Sequence, residues 1–92
     1  MTTEGVSGAA IHIGQCLRLG RKRHFPRDSQ DDFARRIGVS RLTYQKMEQG
    51  NTGVALASYL RAAEILGRLD AVANAFEPPE PSIFERRRIR SE

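Results

Sequence analysis

The chain has 92 residues and a net charge of +4, with 39% hydrophobic residues, no Trp, four Phe and two Tyr. That length allows one domain with a modest core built mainly from aliphatic side chains. A single cysteine, Cys16, excludes an internal disulfide and a CxxC metal site and fits a reducing cytoplasm, and no apolar run approaches the ~18 residues of a membrane span.

In chain order, residues 1–10 contain Gly, Ser and Thr without periodicity and read as a flexible arm; "MTTEGVSGAA" lacks the charged and long apolar regions of a signal peptide. From Ile11 a helix is predicted, with Ile13, Cys16, Leu17 and Gly20 on one face and Arg18, Arg21, Lys22 and Arg23 opposite. On this reading Cys16 packs as a small hydrophobe. Gly20 either admits a close neighbour or costs about 1 kcal/mol against Ala.

Pro26 ends that helix and restricts Phe25 to an extended conformation. Ser29 and Asp32 have the spacing of a capping box for a second helix that turns Phe33, Ala34 and Ile37 inward. Gly38 is suited to a sharp turn, Val39 plugs the turn from inside, and Ser40 caps a third helix. In that helix Tyr44 and Met47 face inward, whereas Arg41, Leu42, Gln45 and Lys46 face outward.

A fourth helix is expected over 55–66, burying Leu56, Tyr59, Leu60, Ala63 and Leu66, and a fifth through Leu69, Val72, Ala73 and Phe76. The folded domain is thus predicted over 11–77. The remainder, 78–92, is a Pro/Arg-rich tail in which Ile83 and Phe84 precede four arginines. It is either a solvated end or a grip on phosphate or an acidic partner.

Two short helices joined by a tight Gly-containing turn form the unit that holds a second helix in the major groove of DNA. Such a helix needs a polar outer face with long donors and an apolar inner one. Residues 29–48 meet both conditions, and the capped helix starts at Ser29 and Ser40 suit phosphate. Between residues 18 and 46 nine Lys/Arg face three Asp, a local net charge of +6. A sequence pI near 10.0 likewise favours a polyanionic partner. His12 and His24 read as surface residues, since two isolated His make no metal site, and no catalytic grouping is visible. Neither an enzyme, a metal nor a cofactor is expected.

The string carrying Ser29, Gln30, Phe33, Ala34, Gly38, Val39, Ser40, Thr43, Met47, Glu48 and Gly50 resembles the XRE, Cro-like and lambda-repressor-like helix-turn-helix family. The resemblance extends over residues 11–76. Tyr44 departs from the family's usual Ile or Val, "FPRDS" is longer than its usual link, and Gly20 replaces an apolar residue. The resemblance implies an all-α, five-helix DNA-binding domain. Gln30 would brace a phosphate and reach the third helix. Arg41 and Leu42 would sit at the base-reading end with Thr43, and Gln45 and Lys46 one turn on. Asn51 and Thr52 would lie near the DNA backbone. Arg21 would pair with Glu48 inside the domain. Arg41 reads as a base or phosphate contact; Leu42 either meets a thymine methyl or packs at the domain edge.

The implied function is a sequence-specific binder of double-stranded DNA, a dimeric (auto)repressor whose half-sites lie about 34 Å apart. Phe76, Ile83 and Phe84 are the candidates for the dimer interface. The whole chain is also similar to HipB-type antitoxins, which implies a HipA-like kinase toxin as an alternative partner.

Overall fold

The computed structural model describes residues 3–79. The tail from residue 80 on, including Ile83 and Phe84, lies outside the described residues. The elements are α1 (Thr3–His24), α2 (Gln30–Ile37), α3 (Arg41–Glu48), α4 (Leu56–Ile65) and α5 (Leu69–Ala73), and the described residues contain no strand. α3 packs against α1 and α2, α2 also against α4, and α4 against α5.

The α2–α3 pair is stopped and started by local chemistry. Ser29 Oγ accepts from the Asp32 N–H at 3.1 Å, and Asp32 Oδ2 accepts from the Ser29 N–H at 3.0 Å, closing a capping box. The bond from the Ser29 backbone holds the Asp32 carboxyl below its ordinary pKa. At the other end Gly38, with φ 74°, takes the left-handed cap, and its N–H turns back onto Ala34 and Arg35 carbonyls. Two residues later Ser40 Oγ accepts from the Thr43 N–H at 3.1 Å and starts α3.

Both helices turn their apolar faces onto one core. Phe33, Ala34, Tyr44, Met47 and Ala62 are fully buried, with Ile37 and Leu17 beside them and Phe25, Val39, Val54, Tyr59 and Leu66 at the edge. The rings of Phe25, Phe33 and Tyr44 follow one another at centroid distances of 5.7 and 5.1 Å. The irregular stretch after α1 is bound in as well. Arg36 lies over the Phe25 ring at 4.1 Å and pairs with Asp28 at 2.5 Å.

α1 differs from the sequence reading in two ways. It is helical from Thr3, so residues 3–10 of the expected arm belong to the helix. Its buried residues are Gly14, Leu17 and Arg21, whereas Ile13 is 49% exposed and Cys16 is exposed. One cause explains both. α1 is pressed backbone to backbone onto the end of α3. A Cβ on Gly14 would lie 2.4 Å from the Glu48 carbonyl oxygen. Gly50, at φ 81°, would place a Cβ 2.8 Å from the Cα of Ile11 and 3.0 Å from the Ala10 carbonyl carbon. The contact therefore begins at Ala10, inside the expected arm. It also rotates the buried stripe toward Gly14 and Arg21, which an apolar periodicity does not register. Gly20 does admit a close neighbour: its Cβ would meet Leu66 Cδ1 at 3.0 Å.

Two further expectations are corrected. Leu56 is 67% exposed because it sits in the first turn of α4, and the buried positions are Ser58, Ala62 and Ala63. α5 has no buried residue; Leu69 is half-buried, and Phe76, predicted on its packing face, follows the end of the helix and is 97% exposed.

Candidate nucleic-acid interface

The presented surface begins with what holds α3 still. Tyr44 and Met47 fix its inner face in the core, and Ser40 caps its start. A carboxylate anchors its last turn. Glu48 Oε2 accepts from Arg21 Nε at 2.8 Å and from the Tyr44 hydroxyl. Glu48 Oε1 accepts from Gln30 Nε2 at 2.9 Å and from Arg21 Nη2 at 3.3 Å. The side chains of Arg21 and Glu48 are only 10% and 6% exposed. Arg21 also donates to the Asp28 carbonyl at 3.1 Å, so one guanidinium ties α1, the following loop and α3 together.

The electrostatics follow from that geometry. Burial by itself would raise the Glu48 carboxyl; hydrogen bonds from Arg21, Tyr44 and Gln30 oppose it and leave the pKa below the ordinary value. The bond to Glu48 raises Arg21 further, and burial, reinforced by the same carboxylate, pushes the Tyr44 hydroxyl well up. Glu48 is therefore a fixed anion with its acceptor sites occupied.

Outward from this anchor, Arg41, Leu42 and Lys46 are exposed, with Leu42 at 61%, and Gln45 is half-buried. Leu42 does not pack into the core. On one side of α3 an open cleft of about 470 Å³ is lined by Arg18, Arg21, Lys22, Gln30, Glu48 and Gln49. On the other, Thr43, Lys46 and Asn51 line a cleft of about 300 Å³ that reaches the start of α4. α4 begins at Ala55 without a side-chain cap, so its positive dipole end faces this region unneutralised by a cap.

The positive charge is divided between two uses. Arg21, Arg35 and Arg36 are paired with Glu48, Asp31 and Asp28. Arg18, Lys22, Arg41 and Lys46 make no ion pair among the described residues. Of the nine cations between residues 18 and 46, three are thus paired, and Arg18, Lys22, Arg41 and Lys46 are among the six with unspent charge. The sequence places Arg18 and Lys22 on the basic face of the first helix but does not mark them as nucleic-acid contacts. Their i, i+4 spacing, which puts both on one face of the helix, is the signal that could have found them.

The remaining sequence candidates have structural employment. The hydroxyls of Ser29, Ser40 and Thr43 belong to the helix caps, with Ser40 Oγ also 3.0 Å from Thr43 Oγ1. Gln30 joins α2 to α3, donating to Glu48 and accepting from Gln45 Nε2 at 3.3 Å. Asn51 Oδ1 accepts from the Gly53 N–H at 2.7 Å, and its carbonyl accepts from the Tyr59 hydroxyl at 3.0 Å, which shapes the loop before α4. Among the described residues no group of His, Cys, Asp and Glu has the composition of a metal site. No helix among them is long and apolar enough to cross a membrane.

Compared with protein-family models, curated proteins and solved structures, the chain matches none.

Proposed function

We propose that the protein is a sequence-specific double-stranded DNA-binding regulator, a dimeric (auto)repressor that reads the major groove with α3. The observation that carries this reading is the outer face of α3. Arg41, Leu42 and Lys46 project from a helix whose inner face is locked in the core, between two clefts that hold cations with unspent charge. The major groove is about 12 Å wide and accepts one α-helix. Arg18 and Lys22 on one side, and Lys46 with the uncapped start of α4 on the other, suit the two phosphate walls of that groove. The Arg41 guanidinium at the helix start suits guanine O6 and N7; Lys46, a point charge, suits phosphate.

Two protomers bring twice these cations to one duplex. Fluorescence anisotropy with a duplex selected from a random pool is expected to lose three or more orders of magnitude in affinity between about 50 and 200 mM salt. A flat salt response rejects the reading. Arg41→Ala is expected to cost about 1–3 kcal/mol on the preferred site and relax one base position, and Lys46→Ala to weaken all sequences alike and flatten the salt slope.

A protein-interaction role, with a HipA-like kinase toxin as partner, has its own support in the exposed apolar residues at the α4–α5 end: Ile65, Val72 and Phe76. The dimer of the first reading uses the same end. Phe76→Asp is expected to convert a dimer to a monomer in sedimentation. A wild-type chain that stays monomeric on DNA and off it removes the dimer.

A further inference from the structure

Gln45, half-buried at the edge of the outer face of α3, has its orientation set from inside the domain. Glu48 can only accept hydrogen bonds, and both its oxygens are engaged by Arg21, Tyr44 and Gln30. An acceptor at that point obliges Gln30 to turn its amide nitrogen inward, at 2.9 Å from Glu48 Oε1. The carbonyl oxygen of Gln30 then points the other way and accepts from Gln45 Nε2 at 3.3 Å. The direction of each amide is thus dictated by the next, starting from a buried charge. Gln45 spends one N–H on Gln30 and keeps Oε1 and its second N–H.

From this chain of donors and acceptors we infer that Gln45 is a specificity-determining residue for adenine, and that Glu48 and Gln30 are its positioning residues. The inference rests on the DNA-binding reading above and deepens it. An acceptor beside a donor is the complement of adenine's major-groove edge, which offers the N6 amino group beside the N7 acceptor. Guanine offers two acceptors there, so Gln45 Oε1 would face another oxygen. A free glutamine could swing its amide to suit; one held by Gln30 cannot do so without breaking the relay. Holding the side chain in place before binding also removes part of the ordering cost.

The test is a set of duplex affinities for the full-length protein. The best site is selected from a random pool, every single-base variant is titrated, and the series is repeated with Gln45→Ala and with Gln30→Met, which keeps the volume and deletes the relay. Wild type is expected to prefer adenine at one position by roughly tenfold to a hundredfold, as a bidentate contact allows. Gln45→Ala should abolish that preference alone. Gln30→Met should flatten it at the same position and leave the others intact, whereas a merely structural role would weaken every site equally. Replacing the adenine by 7-deazaadenine, which lacks N7, should weaken wild type severalfold and leave Gln45→Ala unaffected. This arm decides the Gln45 contact even if Gln30→Met does not fold. Base preferences insensitive to Gln45→Ala, or a 7-deazaadenine penalty equal in both proteins, overturn the inference while leaving DNA binding in place. A wild-type protein with no duplex affinity overturns both.

Discussion

α3 and α5 are both short helices, of eight and five residues, and the chain treats them in opposite ways. α3 has two fully buried side chains, a serine cap, a carboxylate holding its last turn, and the backbone of α1 against its end. α5 has no buried side chain and no side-chain cap. An isolated helix of either length is unstable in water, so each depends on what surrounds it. The comparison teaches where rigidity is concentrated. It lies behind the cationic face of α3, where the proposed groove reading needs a helix that does not yield, and is missing from the end where Val72 and Phe76 are exposed.

The strongest test of that contrast is removal of the anchor. Glu48→Ala leaves Arg21 nearly buried without its carboxylate, and is expected to cost about 3–5 kcal/mol in urea unfolding. An unchanged melting temperature would mean that α3 does not depend on the pair. Gly14→Ala comes next. Its methyl would overlap the Glu48 carbonyl oxygen, so α1 must shift off α3, with an expected loss of ~3 kcal/mol, the upper end of what overpacking usually costs. Gly8→Ala is the control, since a Cβ there meets nothing within 4 Å. It should stabilise by up to about 1 kcal/mol through helix propensity. No gain at Gly8 would show that the first turns of α1 are not helical in solution.

The anchor also has a pH signature. Because the folded-state pKa of Glu48 is depressed, its contribution is fully present above the unfolded value near 4.5 and is lost as pH falls through the lower folded value. Urea midpoints should therefore fall on acidification below about 4.5, and less steeply in Glu48→Gln. At the other end of the comparison, Phe76→Ser should change the stability of the monomer by no more than about 0.5 kcal/mol, since the ring is 97% exposed. A larger loss would place Phe76 in a packed environment and remove the contrast between α3 and α5.

The parts of the fold that were legible are those governed by neighbours in sequence. Ser29 and Asp32 bond to each other across three residues, Gly38 takes the turn, and the 3.6-residue period places Phe33, Ile37, Tyr44 and Met47 inward. The outward position of Arg41, Leu42 and Lys46 follows from the same period. What periodicity misplaced were residues whose burial has no apolar signature. Arg21 is inside because Glu48, 27 residues away, is there to receive it. Cys16 and Ile13 are outside because Gly14 took the contact position. Arg18 and Lys22 became candidates only when α1 was seen to border the same cleft as Gln30.

By itself the amino-acid sequence determined the helices, their caps and the polarity of α3, because those depend on dihedral preferences and hydrogen bonds spanning a few residues. Tertiary structure decided how far α1 extends, which of its faces is buried, and which cations keep their charge free. Each of those is settled by a contact between distant segments: a glycine backbone against a carbonyl, a guanidinium against a carboxylate, one amide against the next. Such contacts depend on distances of about 3 Å, at which hydrogen bonds form and atoms clash, between groups that nothing in the local sequence brings together.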